Sequence, residues 1–133
     1  MVSNINKSFI KKYEIEIGEF YFHKNYVIGE VYAGADLNFE SGKKLYELIK
    51  IHYKDTIPYA YISNRINSYS FKPTRLYAMN DNFPNLKGYG IVTYDAVNYK
   101  VAELEETFTK IPTQVFKNLE NATHWAEKIT SKS

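Results

Sequence analysis

Two short stretches decide the architecture of this chain: Tyr59-Ala60-Tyr61-Ile62-Ser63 and Gly88-Tyr89-Gly90-Ile91-Val92-Thr93-Tyr94. Each is apolar without clear alternation, as expected of a strand covered on both faces, and each is followed by helix signals. They are therefore predicted to be neighbouring, central, buried strands of a largely parallel sheet.

Working outward, the segment from Ile10 to Val31 alternates instead. Tyr13, Ile15 and Ile17 share one face and Glu14 and Glu16 the other, and Glu19-Phe20-Tyr21-Phe22 continues the pattern before a turn at Lys24-Asn25. This reads as two or three antiparallel strands with one wetted face, and Gly18 is expected to mark a bulge or bend. After Gly34 the period changes: Phe39, Leu45, Leu48, Ile49 and His52 fall on one side of a helix, with Asn38 as its cap. Pro73 suits the first turn of a second helix through Leu76, Tyr77 and Met79. A third, capped by Asp95, has Val97, Val101, Leu104 and Phe108 as its apolar stripe, and Pro112 ends it. Thr113-Gln114-Val115-Phe116 reads as a strand, and Asn118 caps a closing helix with Leu119, Ala122, Ala126 and Ile129 on its apolar side and Trp125 beside it. The expected fold is a single α/β sandwich domain over residues 1–133, with a mixed, largely parallel sheet, an antiparallel N-terminal hairpin and about four helices; the ends, about 1–8 and 130–133, are expected to fray.

Composition narrows the function. A chain of 133 residues, 44% hydrophobic and 17% aromatic, can bury one core without disulfides or metals, and it contains no cysteine. Thiolate catalysis is thereby excluded, and the composition is compatible with a reducing compartment; the chain is read as cytoplasmic. No signal peptide is visible, and no window approaches the roughly 18 apolar residues of a membrane span. The net charge of +2 arises from lysines interleaved with glutamates rather than from a basic block, which argues against nucleic acid. The six glycines form no phosphate-binding loop, no Gly-x-Ser-x-Gly elbow is present, and His23, His52 and His124 lack metal-ligand spacing, so no catalytic residue, cofactor or metal is assigned. Glu103, Glu105 and Glu106 flank Leu104 and are expected to face water.

The remaining distinctive segment runs from Asn64 to Arg75 and holds the only two arginines of the chain. A guanidinium presents a planar fork of donors suited to carboxylates and phosphates. Arg65, Ser68, Ser70, Lys72 and Arg75 are the candidate interaction or anion-binding residues, placed about where a helix begins and its dipole favours negative charge. Ser70 has a structural alternative as an N-cap. Tyr59, Tyr61, Tyr69 and Phe71 are the candidate pocket wall.

From about Tyr13 to Ile129 the chain resembles the STAS domains, the sulfate transporter and anti-sigma-factor antagonist family, and more closely its small bacterial members. The resemblance rests on element order, on Gly34-Ala35-Asp36-Leu37-Asn38-Phe39-Glu40 before the first helix, and on the ending Val115-Phe116-Lys117-Asn118-Leu119-Glu120-Asn121-Ala122-Thr123-His124-Trp125. It implies a non-enzymatic regulatory or protein-interaction domain whose partner is a regulatory kinase or sigma regulator; a homodimer is compatible with it. The family's Asp-Ser-Ser-Gly-like phosphorylation turn is replaced here by Ser68-Tyr69-Ser70-Phe71, without the aspartate or the glycine. A binder of a small apolar or anionic ligand such as a lipid is the alternative, and an enzyme ranks last.

Overall fold

A computed structural model describes residues 10–37, 40–66, 70–71 and 83–131. Six strands form one mixed sheet: β1 (Lys11–Ile15), β2 (Gly18–Phe22), β3 (Tyr26–Val31), β5 (Tyr59–Asn64), β7 (Leu86–Val92) and β8 (Thr113–Phe116), in that spatial order. The pairs β1/β2 and β2/β3 are antiparallel, and β3/β5, β5/β7 and β7/β8 are parallel. Two-residue strands β4 (Asp36–Leu37) and β6 (Ser70–Phe71) pair separately. The described residues form three α-helices, α1 (Lys43–Tyr53), α2 (Ala96–Glu105) and α3 (Leu119–Ser131). The helix expected from Pro73 lies outside the described residues; α1 starts at Lys43 with Gly42 as its N-cap and no side-chain cap bond, later than the start at Asn38 that the sequence suggests. No helix among those described is long and apolar enough to cross a membrane.

The two decisive stretches are β5 and β7, paired in parallel in the middle of the sheet; every residue of β5 is buried, and in β7 only Lys87 is exposed. The opening segment corrects the sequence reading at one point. The chain turns at Glu16-Ile17, so Gly18 starts a new strand rather than bulging an old one, and a Cβ there would lie 2.5 Å from the Glu30 carbonyl oxygen.

Two cores sandwich the sheet. One face carries Phe20, Phe22, Val27, Tyr59, Tyr61, Tyr89 and Ile91, covered by Leu45, Leu48, Ile49 and Tyr53 of α1 and Ala102 of α2. The other carries Tyr21, Tyr26, Ile28, Ala60, Ile62, Val92 and Phe116 under Leu119, Ala122 and Ala126 of α3. The parallel strands follow one another in sequence order, so right-handed crossovers put α1 and α2 on the same face. α3 packs on the other face. Its cap is as expected, with the Asn121 amide donating to Asn118 Oδ1 at 2.8 Å. It runs through Thr130, buried and bonded to the Ala126 carbonyl, so Thr130 and Ser131 are helical rather than frayed.

His52 continues the inner side of α1, stacking on Phe22 and sharing a 2.8 Å hydrogen bond with the Tyr13 hydroxyl, a partner its spacing did not reveal. His23 is buried against Tyr26, its Nε2 without a partner, and burial pushes its pKa down to about 4. The ring is neutral in the folded chain at pH values where the unfolded chain, near 6.5, already binds a proton. Its contribution is therefore complete above about 6.5 and is lost as the pH falls towards about 4. Stability should drop by roughly 2 kcal/mol between about pH 6.5 and pH 5 on this account, and His23→Phe should flatten that slope in urea melts compared with the parent chain. Equal slopes would assign the loss to other groups.

Candidate functional site

The helix that departs most from the sequence reading is α2. Asp95 caps it as expected, accepting from the Asn98 amide at 2.8 Å and from Asn98 Nδ2 at 2.7 Å, and the bond to that amide, the larger cause, holds its carboxyl below the usual range. The stripe Val97, Val101 and Leu104, expected to be buried, instead faces solvent at 74%, 50% and 63% exposure, and Phe108 falls in a following 3₁₀ turn (Glu106–Phe108). The buried residues are Ala102 and Glu105. Glu105, expected to face water, is 4% exposed.

The cause is Arg65. Its Nη1 pairs with Glu105 Oε2 and its Nη2 donates to Glu105 Oε1 at 2.7 Å and to the Tyr89 hydroxyl at 2.8 Å, while Nε donates to Ser63 Oγ at 3.0 Å. A buried guanidinium left without its carboxylate costs several kcal/mol. That is comparable with what burying two or three aliphatic side chains contributes. The two demands oppose each other, and α2 is turned so that Glu105 faces Arg65 and the aliphatic stripe faces solvent.

Arg65 is consequently the one candidate of its segment whose side-chain surroundings are defined, and the carboxylate it meets belongs to the chain itself. Ser68, Tyr69, Lys72 and Arg75 lie outside the described residues. Ser70 and Phe71 are placed as backbone only, in β6. Tyr59 and Tyr61 are 0% and 5% exposed and belong to the core under α1; Tyr59 stacks on Tyr53 with ring centroids 4.5 Å apart.

What the topology brings together lies elsewhere, at the carboxyl ends of β7 and β8. From β7 the chain leaves to α2 on one face of the sheet, and from β8 it leaves to α3 on the other. Adjacent strands whose continuations diverge in this way leave a crevice outside their carboxyl ends, the preferred ligand position of open α/β sheets. Here the crevice is a cleft of about 510 Å³ lined by Thr93, Tyr94, Asp95, Ala96, Tyr99, Lys100, Glu103 and Lys117. Lys117 Nζ sits 5.3 Å from the Tyr99 ring centroid. Thr93 is buried and its Oγ1 has no hydrogen-bond partner.

Tyr94 links the cleft to a second buried polar chain, its hydroxyl donating to Asn64 Oδ1 at 2.5 Å while Asn64 Nδ2 donates to Glu30 Oε2 at 2.9 Å. Burial, and secondarily the Glu30 carboxylate, raise the Tyr94 pKa, so the hydroxyl stays protonated near neutrality. Sequence reading passed over these residues because nothing in Val92-Thr93-Tyr94-Asp95 is unusual in itself. The usable signal was positional: a strand end beside the last crossover. Among the described residues no group of three or more His, Asp or Glu side chains is arranged to hold a metal ion.

Comparison with protein-family models, with curated proteins and with solved structures finds no significant match to this chain.

Proposed function

We propose that this chain is a non-enzymatic interaction domain of the STAS-like kind, working in the cytoplasm of a bacterium and docking a regulatory protein on the outer face of α2. The observation that carries this reading is the rotation of α2: the helix is held by its polar side, and three large aliphatic residues one and two turns apart are presented to solvent. A contiguous apolar stripe at the surface marks an interaction site more often than scattered single residues do. Its size decides the kind of interaction. Val97, Val101 and Leu104 offer on the order of 300 Å² of apolar surface, too little for an obligate dimer and suited to a transient contact of under about 1,200 Å² in total. A regulatory partner that engages and leaves fits this better than a permanent second copy.

Val101→Asp and Leu104→Asp test it. Both positions face water, so melting temperatures should stay within about 2 °C of the parent, while affinity for a partner identified by capture and then purified should fall by tenfold or more. Unchanged affinity would remove α2 as the docking face, and a large fall in melting temperature would show that the stripe is packed.

A further inference from the structure

The cleft between the ends of β7 and β8 is a different face of α2 from the exposed stripe, and its chemistry points to a different occupant. We propose that it binds a small aromatic carboxylate. Three observations converge on that class. The walls are aromatic and aliphatic, Tyr94, Tyr99 and Ala96, and the volume of about 510 Å³ lies within the usual range for small-molecule sites. Thr93 is 2% exposed and its Oγ1 is unpartnered; a buried hydroxyl is normally satisfied, and one left unmade at a cleft wall is available to a ligand oxygen.

The charges complete the assignment. Asp95 stays ionised, but both of its carboxylate oxygens are engaged by Asn98 at its own helix start. Lys100 and Glu103 also line the cleft, three residues apart on the helix and without an ion pair between them. Lys117 likewise forms no ion pair among the described residues, and its ammonium rests against the Tyr99 ring. A carboxylate placed by Lys117, with its flat body against Tyr99 and Tyr94, satisfies a cation that has no carboxylate within ion-pair distance among the described residues and leaves an oxygen for Thr93. An acyl chain would make less use of the two rings, which favour flat partners at stacking distance.

The experiment is an amide chemical-shift titration of the intact chain with 2-naphthoate, its neutral isostere 2-naphthamide, and octanoate. The expected result is saturable shifts confined to the neighbourhoods of Thr93 to Ala96 and Lys117, with 2-naphthoate binding about tenfold more tightly than 2-naphthamide, one charge-assisted hydrogen bond's worth. Lys117→Gln should remove that preference. Thr93→Val should weaken 2-naphthoate several-fold while leaving the melting temperature unchanged or higher, since it deletes an unsatisfied buried hydroxyl; a structural hydroxyl would give the opposite. Val101→Asp should bind 2-naphthoate like the parent, which separates this site from the docking face. Absence of saturable shifts at millimolar 2-naphthoate overturns the site, equal affinity for the amide overturns the carboxylate, and tighter octanoate overturns the aromatic body.

Discussion

Arg65→Met is expected to lower the unfolding free energy by about 3 to 5 kcal/mol, the cost of leaving one member of a buried ion pair alone. The side chains of Arg65 and Glu105 are 11% and 6% exposed, and the guanidinium meets both carboxylate oxygens, so the pair is screened little by solvent. Glu105 would then be a buried carboxylate with its Arg65 cation gone. The double variant Arg65→Met/Glu105→Leu should recover most of the loss, because two apolar groups of similar volume replace both charges and little polar surface is stranded. The cycle of the two single variants and the double, measured by urea midpoints at constant slope, should therefore give a coupling of several kcal/mol. Additive losses would mean that the two side chains act independently and that something other than this pair orients α2.

Trp125→Ala should cost about 3 kcal/mol, near the lower end for a large aromatic because the ring is only partly buried. The reason lies in the opposing strand. Gly88 and Gly90 of β7 face α3, and a Cβ at Gly88 would lie 2.8 Å from the Trp125 ring and 2.1 Å from Ile129 Cδ1, so the glycines create the shelf on which the ring rests. Trp125 also meets Phe116 at a centroid distance of 5.5 Å. Gly88→Val fills the same space from the other side and should destabilise by about 1 to 3 kcal/mol. Combining Gly88→Val with Trp125→Ala should cost less than the sum of the two, since the new methyls occupy room the indole has left. A Trp125→Ala midpoint within error of the parent would show that the helix is held by Leu119, Ala122 and Ala126 alone.

The two substitutions sit at opposite ends of legibility. Trp125 was readable: a tryptophan beside an i, i+3, i+7 stripe after an Asn cap belongs to a helix that packs on a sheet, and the Gly-x-Gly of β7 agrees with a close approach. The strands β5 and β7 were readable for the same reason, because burial on both faces leaves an unbroken apolar run. The α2 face was not. Val97, Val101 and Leu104 satisfy helical periodicity as well as the core residues of α1 do, and periodicity counts apolar positions without knowing which side holds a buried charge.

The candidate site divides the same way. The sequence by itself determined the class of fold, the order of the strands of the main sheet, the caps at Asp95 and Asn118, and the absence of cysteine chemistry, since each follows from local pattern or composition. Only the tertiary structure decided that Arg65 meets Glu105, that α2 shows its aliphatic stripe outward, and that Thr93, Tyr99 and Lys117 share one cleft. Those facts depend on residues 18 to 40 positions apart being brought together by parallel pairing and by crossovers that diverge at β7 and β8. Local periodicity carries no information about such distances; the energy of one desolvated ion pair, and the geometry of the last two strands, do.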